Sequence, residues 1–130
     1  MTKVAHSRLK IFFDGGCRPN PGTMEIAVVV GGKVHIQRDV GYGSSMDAEW
    51  LALIHALSLA HGLGLTNIVL LGDCAAVINQ ANNVVKARGS NIEHLNNFRA
   101  LQSPPAPLRI RYIKRAQNLA GIALARLHPR

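Results

Sequence analysis

The sequence predicts an α/β protein: a five-stranded mixed sheet, three antiparallel strands followed by two parallel ones, with helices on both faces. Two observations carry this. Three extended runs joined by tight turns come first, and helical and extended runs then alternate to the C-terminus. The 130 residues hold no repeat and no dividing linker, and 48% are apolar, so one domain over 1–130 with a substantial core is expected.

Leu9 to Asp14 is an apolar, aromatic-rich run and reads as the first strand. Gly15 to Gly22 holds three glycines and two prolines and reads as a turn. Glu25 to Val30 is the second strand, and Gly31-Gly32 makes a hairpin. Lys33 to Val40 returns with period-two alternation, Val34, Ile36 and Arg38 on one face, His35 and Gln37 on the other. A helix follows, with N-cap candidates Ser44, Ser45 and Asp47 and an end at Gly62 or Gly64. Asn67 to Leu71 is uniformly apolar, as expected for a central strand covered on both sides. Cys74 to Asn82 and Asn91 to Leu101 read as helices. Pro104 to Pro107 is a stiff connector, Leu108 to Ile113 the last strand, and Asn118 to Leu127 a closing helix.

Fifteen Lys and Arg against seven Asp and Glu give a net charge of +8. That excess suits either a polyanionic partner or plain solubility. Arg109, Arg111, Lys114, Arg115, Arg126 and Arg130 meet no acid in the C-terminal stretch, which favours the partner. No apolar stretch reaches the ~20 residues that span a bilayer, and the N-terminus carries no apolar signal segment, so a cytoplasmic protein is expected. Cys17 and Cys74 are too few for a disulfide framework and are expected reduced and partly buried. The histidines show no metal-site spacing and are expected at the surface or its boundary, while Trp50 is expected to pack.

Three of the seven acids stand out. Asp14 and Asp73 each end an apolar run, where sites form at the carboxyl edge of an open sheet. Glu49 shares a helical stripe with Ala52, Leu53, Ala56 and Ala60, and a carboxylate on a buried stripe is costly without a partner. Three acids converging in a dry cleft repel one another. A divalent cation would cancel that repulsion, and a pair of them would serve phosphodiester hydrolysis. Singly, each has a structural alternative: a turn residue at Asp14, a helix-dipole residue at Glu49, a helix N-cap at Asp73.

The motifs around these acids resemble the type 1 ribonuclease H family. Phe13-Asp14-Gly15-Gly16-Cys17-Arg18-Pro19-Asn20-Pro21-Gly22 is similar to the family's first-strand motif. Ala48-Glu49-Trp50-Leu51-Ala52-Leu53 resembles its helix start, and Leu71-Gly72-Asp73-Cys74-Ala75-Ala76-Val77 its third-acid motif. Tyr112 to Asn118 followed by Ala123-Leu124-Ala125 resembles its last strand, catalytic loop and closing helix. The resemblance implies a ribonuclease H-like fold and hydrolysis of the RNA strand of RNA/DNA hybrids with Mg²⁺ or Mn²⁺. It implies Asp14, Glu49 and Asp73 as catalytic metal ligands, Asp14 bridging two ions. Gly15, Gly16, Cys17 and Asn20 would meet the nucleic acid, and Asn118 would brace the catalytic loop. A monomer is the default.

The chain also departs from the pattern. The family's fourth acid, on the closing helix, falls at Ile122, and no acid follows Glu93. His128 is a conceivable stand-in. Ser45 and Met46 replace two family asparagines, and Ala75 a glutamine. These departures predict slow turnover or a preference for Mn²⁺. They leave two further readings open: a non-catalytic nucleic-acid-binding domain of the same fold, and a structure-specific DNA nuclease.

Overall fold

The computed structural model describes residues 8–102 and 108–128. The expected connector at Pro104–Pro107, His6 and Arg130 lie outside the described residues. The mixed sheet runs β3-β2-β1-β5-β6, from β1 (Leu9–Arg18), β2 (Gly22–Val30), β3 (Lys33–Gln37), β5 (Ile68–Gly72) and β6 (Arg109–Tyr112). β1, β2 and β3 are antiparallel, whereas β5 and β6 join in parallel with β1. A sixth strand, the two-residue β4 (Tyr42–Gly43), pairs with Gly22 and Thr23.

Alternation along the strands decides what each face buries. Ile11, Phe13, Ile26, Val28, Ile68, Leu70 and Ile110 face the main core beneath α1 (Ser45–Gly62), α2 (Ala75–Ala81) and α3 (Asn91–Leu101). Ala27 and Val29 face the other way, onto Ala120 and Leu124 of α4 (Leu119–Ala125). Ser44 is the N-cap of α1. Its Oγ accepts from the Asp47 N–H at 3.1 Å, while Asp47 Oδ2 accepts from the Ser44 N–H at 3.0 Å. The expected stripe is buried: Ala52, Leu53, Ala56 and Ala60 are fully enclosed and Glu49 is 8% exposed.

Four expectations need correction. The glycine-rich segment is not a turn until Pro19, because β1 continues to Arg18 and Gly15, Gly16 and Cys17 pair with Ile26, Glu25 and Met24. Asp14 therefore lies inside a strand, though just past the end of the β1–β5 pairing at Phe12. The glycine at 15 serves close approach: a Cβ there would sit 2.1 Å from the Ala48 carbonyl oxygen. β3 ends at Gln37, since Asp39 adopts a positive φ of 56°, and its Val34 and Ile36 stay exposed. β5 is central, but Val69, on the α4 side, is only half-buried. The closing helix is shorter than expected and follows a 3₁₀ turn at Arg115–Gln117. Among the described residues no helix is long and apolar enough to cross a membrane.

Candidate active site

Three elements deliver the acids to one point. β1 carries Asp14 on the face that α4 covers, α1 carries Glu49 near its N-terminus, and Asp73 follows the last residue of β5. Two glycines permit this convergence. Gly15 lets the first turns of α1 lie against β1, and its N–H donates to Glu49 Oε1 at 2.7 Å. Gly72 makes room for the Phe13 ring, which a Cβ would meet at 2.4 Å. One carboxylate oxygen each from Asp14, Glu49 and Asp73 then lie within 4.8 Å of one another.

Asn118 ties the cluster to α4. It is fully buried, its Nδ2 donates to the Phe13 carbonyl at 3.0 Å and lies 3.4 Å from Asp73 Oδ2, and its Oδ1 accepts from the Ala120 N–H at 3.1 Å. Asn20 acts at the other side. Its Oδ1 accepts from the Ser45 N–H and its Nδ2 donates to Ser45 Oγ, both at 3.0 Å, so it pins the β1–β2 turn to the start of α1.

Packing like charges in a partly dry site raises their proton affinity. Burial pushes Asp14 up to about 6; the Asp73 charge adds to this, while a hydrogen bond from Glu49 and the Arg115 charge oppose it. Burial, then the Asp14 charge, pushes Glu49 up to about 9. Cys74 is also raised, first by burial. Both cysteines are free.

The acids line an open cleft of about 460 Å³. Gly15, Gly16, Cys17 and Met46 line it too, whereas Asn20 and Asn118 are not among its lining residues. The sequence reading missed Arg18, Glu25, Arg115 and Gly121 on its walls. Glu25 enters the cleft through the sheet register: it pairs with Gly16, and on β2 it shares the face of Ala27, the partner of Asp14. It holds His128, with Nε2 2.7 and 2.9 Å from its two carboxylate oxygens, and His128 also borders the cleft.

A family model described as reverse transcriptase-like matches residues 13–128. The chain belongs to this family, and its fold is that of type 1 ribonuclease H. The ribonuclease H1 of the halophilic archaeon Halobacterium salinarum is 27% identical with a TM-score of 0.81, covering 91% of this chain and 94% of that one. The N-terminal ribonuclease H domain of a Mycobacterium tuberculosis protein, solved as a fusion with maltose-binding protein, is 25% identical with a TM-score of 0.78, covering 94% and 99%. LC11 ribonuclease H1, isolated from compost by a metagenomic approach, was solved in complex with an RNA/DNA hybrid. It is 25% identical with a TM-score of 0.79, covering 90% and 93%. No curated protein matches the chain.

Ile122, at the fourth-acid place, is 37% exposed. Its neighbour Gly121 is where α4 comes up against the acids: a Cβ there would lie 3.1 Å from Asp14 Oδ2 and 3.7 Å from Asp73 Oδ2. His94 and Trp50 belong to the scaffold. Trp50 is fully buried and stacks on His94 at 6.1 Å, and His94 Nε2 lies 2.9 Å from Asp47 Oδ1, which places His94 at the boundary of the core.

Proposed function

We propose that this chain is a divalent-metal-dependent endonuclease that hydrolyses the RNA strand of RNA/DNA hybrids, with Asp14, Glu49 and Asp73 as its catalytic metal ligands. The observation that carries the reading is the convergence of three carboxylate oxygens within 4.8 Å. The donor set fits Mg²⁺ or Mn²⁺: the ligands are hard oxygens, and Asp14 and Glu49, whose proton affinity is raised first by burial and then by the neighbouring carboxylates, are charges a bound cation would compensate. When bound, such an ion polarises a phosphoryl oxygen and acidifies water.

The protein's own groups then have separable tasks. The Gly15 N–H orients Glu49, and Asn118 orients Asp73. Arg18 and Arg115, on the cleft walls, attract the phosphodiester. Gly16 leaves backbone open to the substrate, since nothing lies within 4 Å of where its Cβ would be. Cys17 and Asn20 border the same approach. A relative solved with a hybrid supports the choice of substrate. Ile122 supplies no ligand, so turnover is slow and Mn²⁺ is preferred over Mg²⁺.

The same residue favours a second reading, a nucleic-acid-binding domain that has lost the chemistry. One experiment separates them: an end-labelled RNA/DNA hybrid incubated with wild type, Asp14→Asn and Ile122→Asp, in Mg²⁺ and in Mn²⁺. Cleavage by wild type but not by Asp14→Asn supports the nuclease. Cleavage by Ile122→Asp alone replaces it with the binder. Competition with duplex RNA and single-stranded DNA tests the hybrid preference.

A further inference from the structure

Among the described residues, the sheet face that carries α4 is covered mainly on one half. α4 packs chiefly on β1, β2 and β3, and no described helix packs on β5 and β6 to the same extent on that side. Register fixes what this open half displays. Ile11, Leu70 and Ile110 pair in a row across β1, β5 and β6, and all three are buried in the main core. The alternating rows therefore face outward: Lys10 beside Val69 beside Arg109, then Phe12 beside Leu71 beside Arg111.

Lys10, Arg109 and Arg111 are exposed. Adjacent strands lie about 4.8 Å apart and alternate residues about 6.7 Å apart along a strand. Three cations thus stand about 7–12 Å from one another around a floor of Val69 and Leu71. No acid sits on β5 or β6, and among the described residues no ion pair engages an Arg or Lys. Three unpaired cations held at one spot by strand register sum to a local positive potential that complements an anion. β6 runs parallel to β1 and β5, and the chain leaving it reaches Arg115 on the cleft wall within three residues. The row is therefore continuous with the cleft rather than isolated from it.

We infer that the open β1–β5–β6 face is a second phosphodiester-binding surface, which holds the nucleic-acid chain where it runs past the cleft. This rests on the reading of the chain as acting on nucleic acid, and it assigns Lys10, Arg109 and Arg111 to binding, not to chemistry. The bound groups are backbone phosphates, so the contribution is independent of base sequence and steeply dependent on salt.

The test is equilibrium binding of a fluorescent hybrid of roughly 24 base pairs, about 80 Å at 3.4 Å per pair, in EDTA over a series of salt concentrations. The patch variant is Lys10→Glu/Arg109→Glu/Arg111→Glu. The control is Lys33→Glu/Lys86→Glu/Arg99→Glu, three exposed cations on other elements, and each triple reversal takes the net charge from +8 to +2. A milder Lys10→Gln/Arg109→Gln/Arg111→Gln variant covers the case in which charge reversal disturbs the strands. The patch variants are expected to bind at least tenfold more weakly at low salt, with a log–log salt slope smaller by about 2–3, against about threefold for the control. Equal losses in patch and control, or none in either, overturn the proposal, because the face then acts only through net charge or not at all. Retained hybrid binding with lost binding to anionic phospholipid vesicles overturns it in favour of a membrane surface. Asp14-dependent cleavage of a short hybrid, assayed in parallel, reports on the nuclease reading independently.

Discussion

Glu49→Gln is expected to stabilise the metal-free protein, increasingly so as pH rises. Glu49 is 8% exposed, and its carboxyl is pushed up to about 9 from an ordinary 4.5, by burial first and by Asp14 second. A carboxyl with a higher pKa folded than unfolded takes up a proton on folding. Its effect is opposite in sign to that of a salt-bridged acid: nothing is lost below pH 4.5, stability falls as pH rises, and the loss levels off near pH 9. The slope is about 1.4 kcal/mol per pH unit, which gives a cost of about 3 kcal/mol at pH 7. Glutamine is neutral in both states and avoids this cost. Its Oε1 still accepts from the Gly15 N–H, and its amide can donate to Asp14 as the protonated acid does.

The assay is thermal unfolding in EDTA across pH. At pH 7 the variant should melt about 10 °C above wild type, and the two should converge near pH 5. Excess Mg²⁺ or Mn²⁺ should reverse the order, since the ion stabilises only a chain that retains its ligands. Equal melting in EDTA at pH 7, or a gap that widens toward acid, would refute the argument that burial and charge repulsion hold Glu49 protonated.

Two further substitutions test the scaffold. Gly15→Ala should cost about 3 kcal/mol or more in urea unfolding, because the new Cβ meets backbone at 2.1 Å that cannot move aside as a side chain would; Gly16→Ala, with nothing within 4 Å, should stay within about 0.5 kcal/mol. Equal costs at the two positions would contradict the close-approach account. Asn118→Ala should cost about 3 kcal/mol in the same assay, about 1 from the lost α4 cap and the rest from the orphaned Phe13 carbonyl. A cost below about 1 kcal/mol would show that water replaces both bonds.

Much of the fold was legible because its signals are local and periodic. The Glu49 stripe, the Gly31-Gly32 hairpin and α3 at Asn91–Leu101 each depend on spacing within one element, and each stands where the pattern put it. The misreadings came where a residue type has two uses. Glycine at 15 and 16 signals a turn by composition, yet both lie in a strand, and Gly15 is there because a helix must approach closely at Ala48. Val34 and Ile36 alternate as a buried strand should, but α4 reaches only part of β3 and they stay exposed. Of the site, the three converging acids were readable as strand-end and stripe positions. Glu25 was not, because its place in the cleft depends on β1–β2 register and on strand β1 running past Asp14. The cleft is assembled from β1, β2, α1, the segment after β5, the 3₁₀ turn and α4, so no single element displays its lining.

The loss of the fourth acid is a chemical change that leaves the architecture alone. α4 is held by Ala120 and Leu124 against Ala27 and Val29, and by Asn118 beneath the acids; Ile122 takes part in neither contact. An exposed isoleucine exchanged for aspartate typically shifts stability by no more than about 0.5 kcal/mol, and an acid in the first turn of a helix is mildly favoured by the helix dipole. Gly121, by contrast, stands so close to Asp14 that a larger side chain there would press on the cluster. Position 122 can thus gain a carboxylate without repacking, and position 121 cannot. Activity gained by Ile122→Asp would consequently report on ligand number rather than on a rebuilt helix, and its absence would mean that Glu49, Asp14 and Asp73 already set the limit.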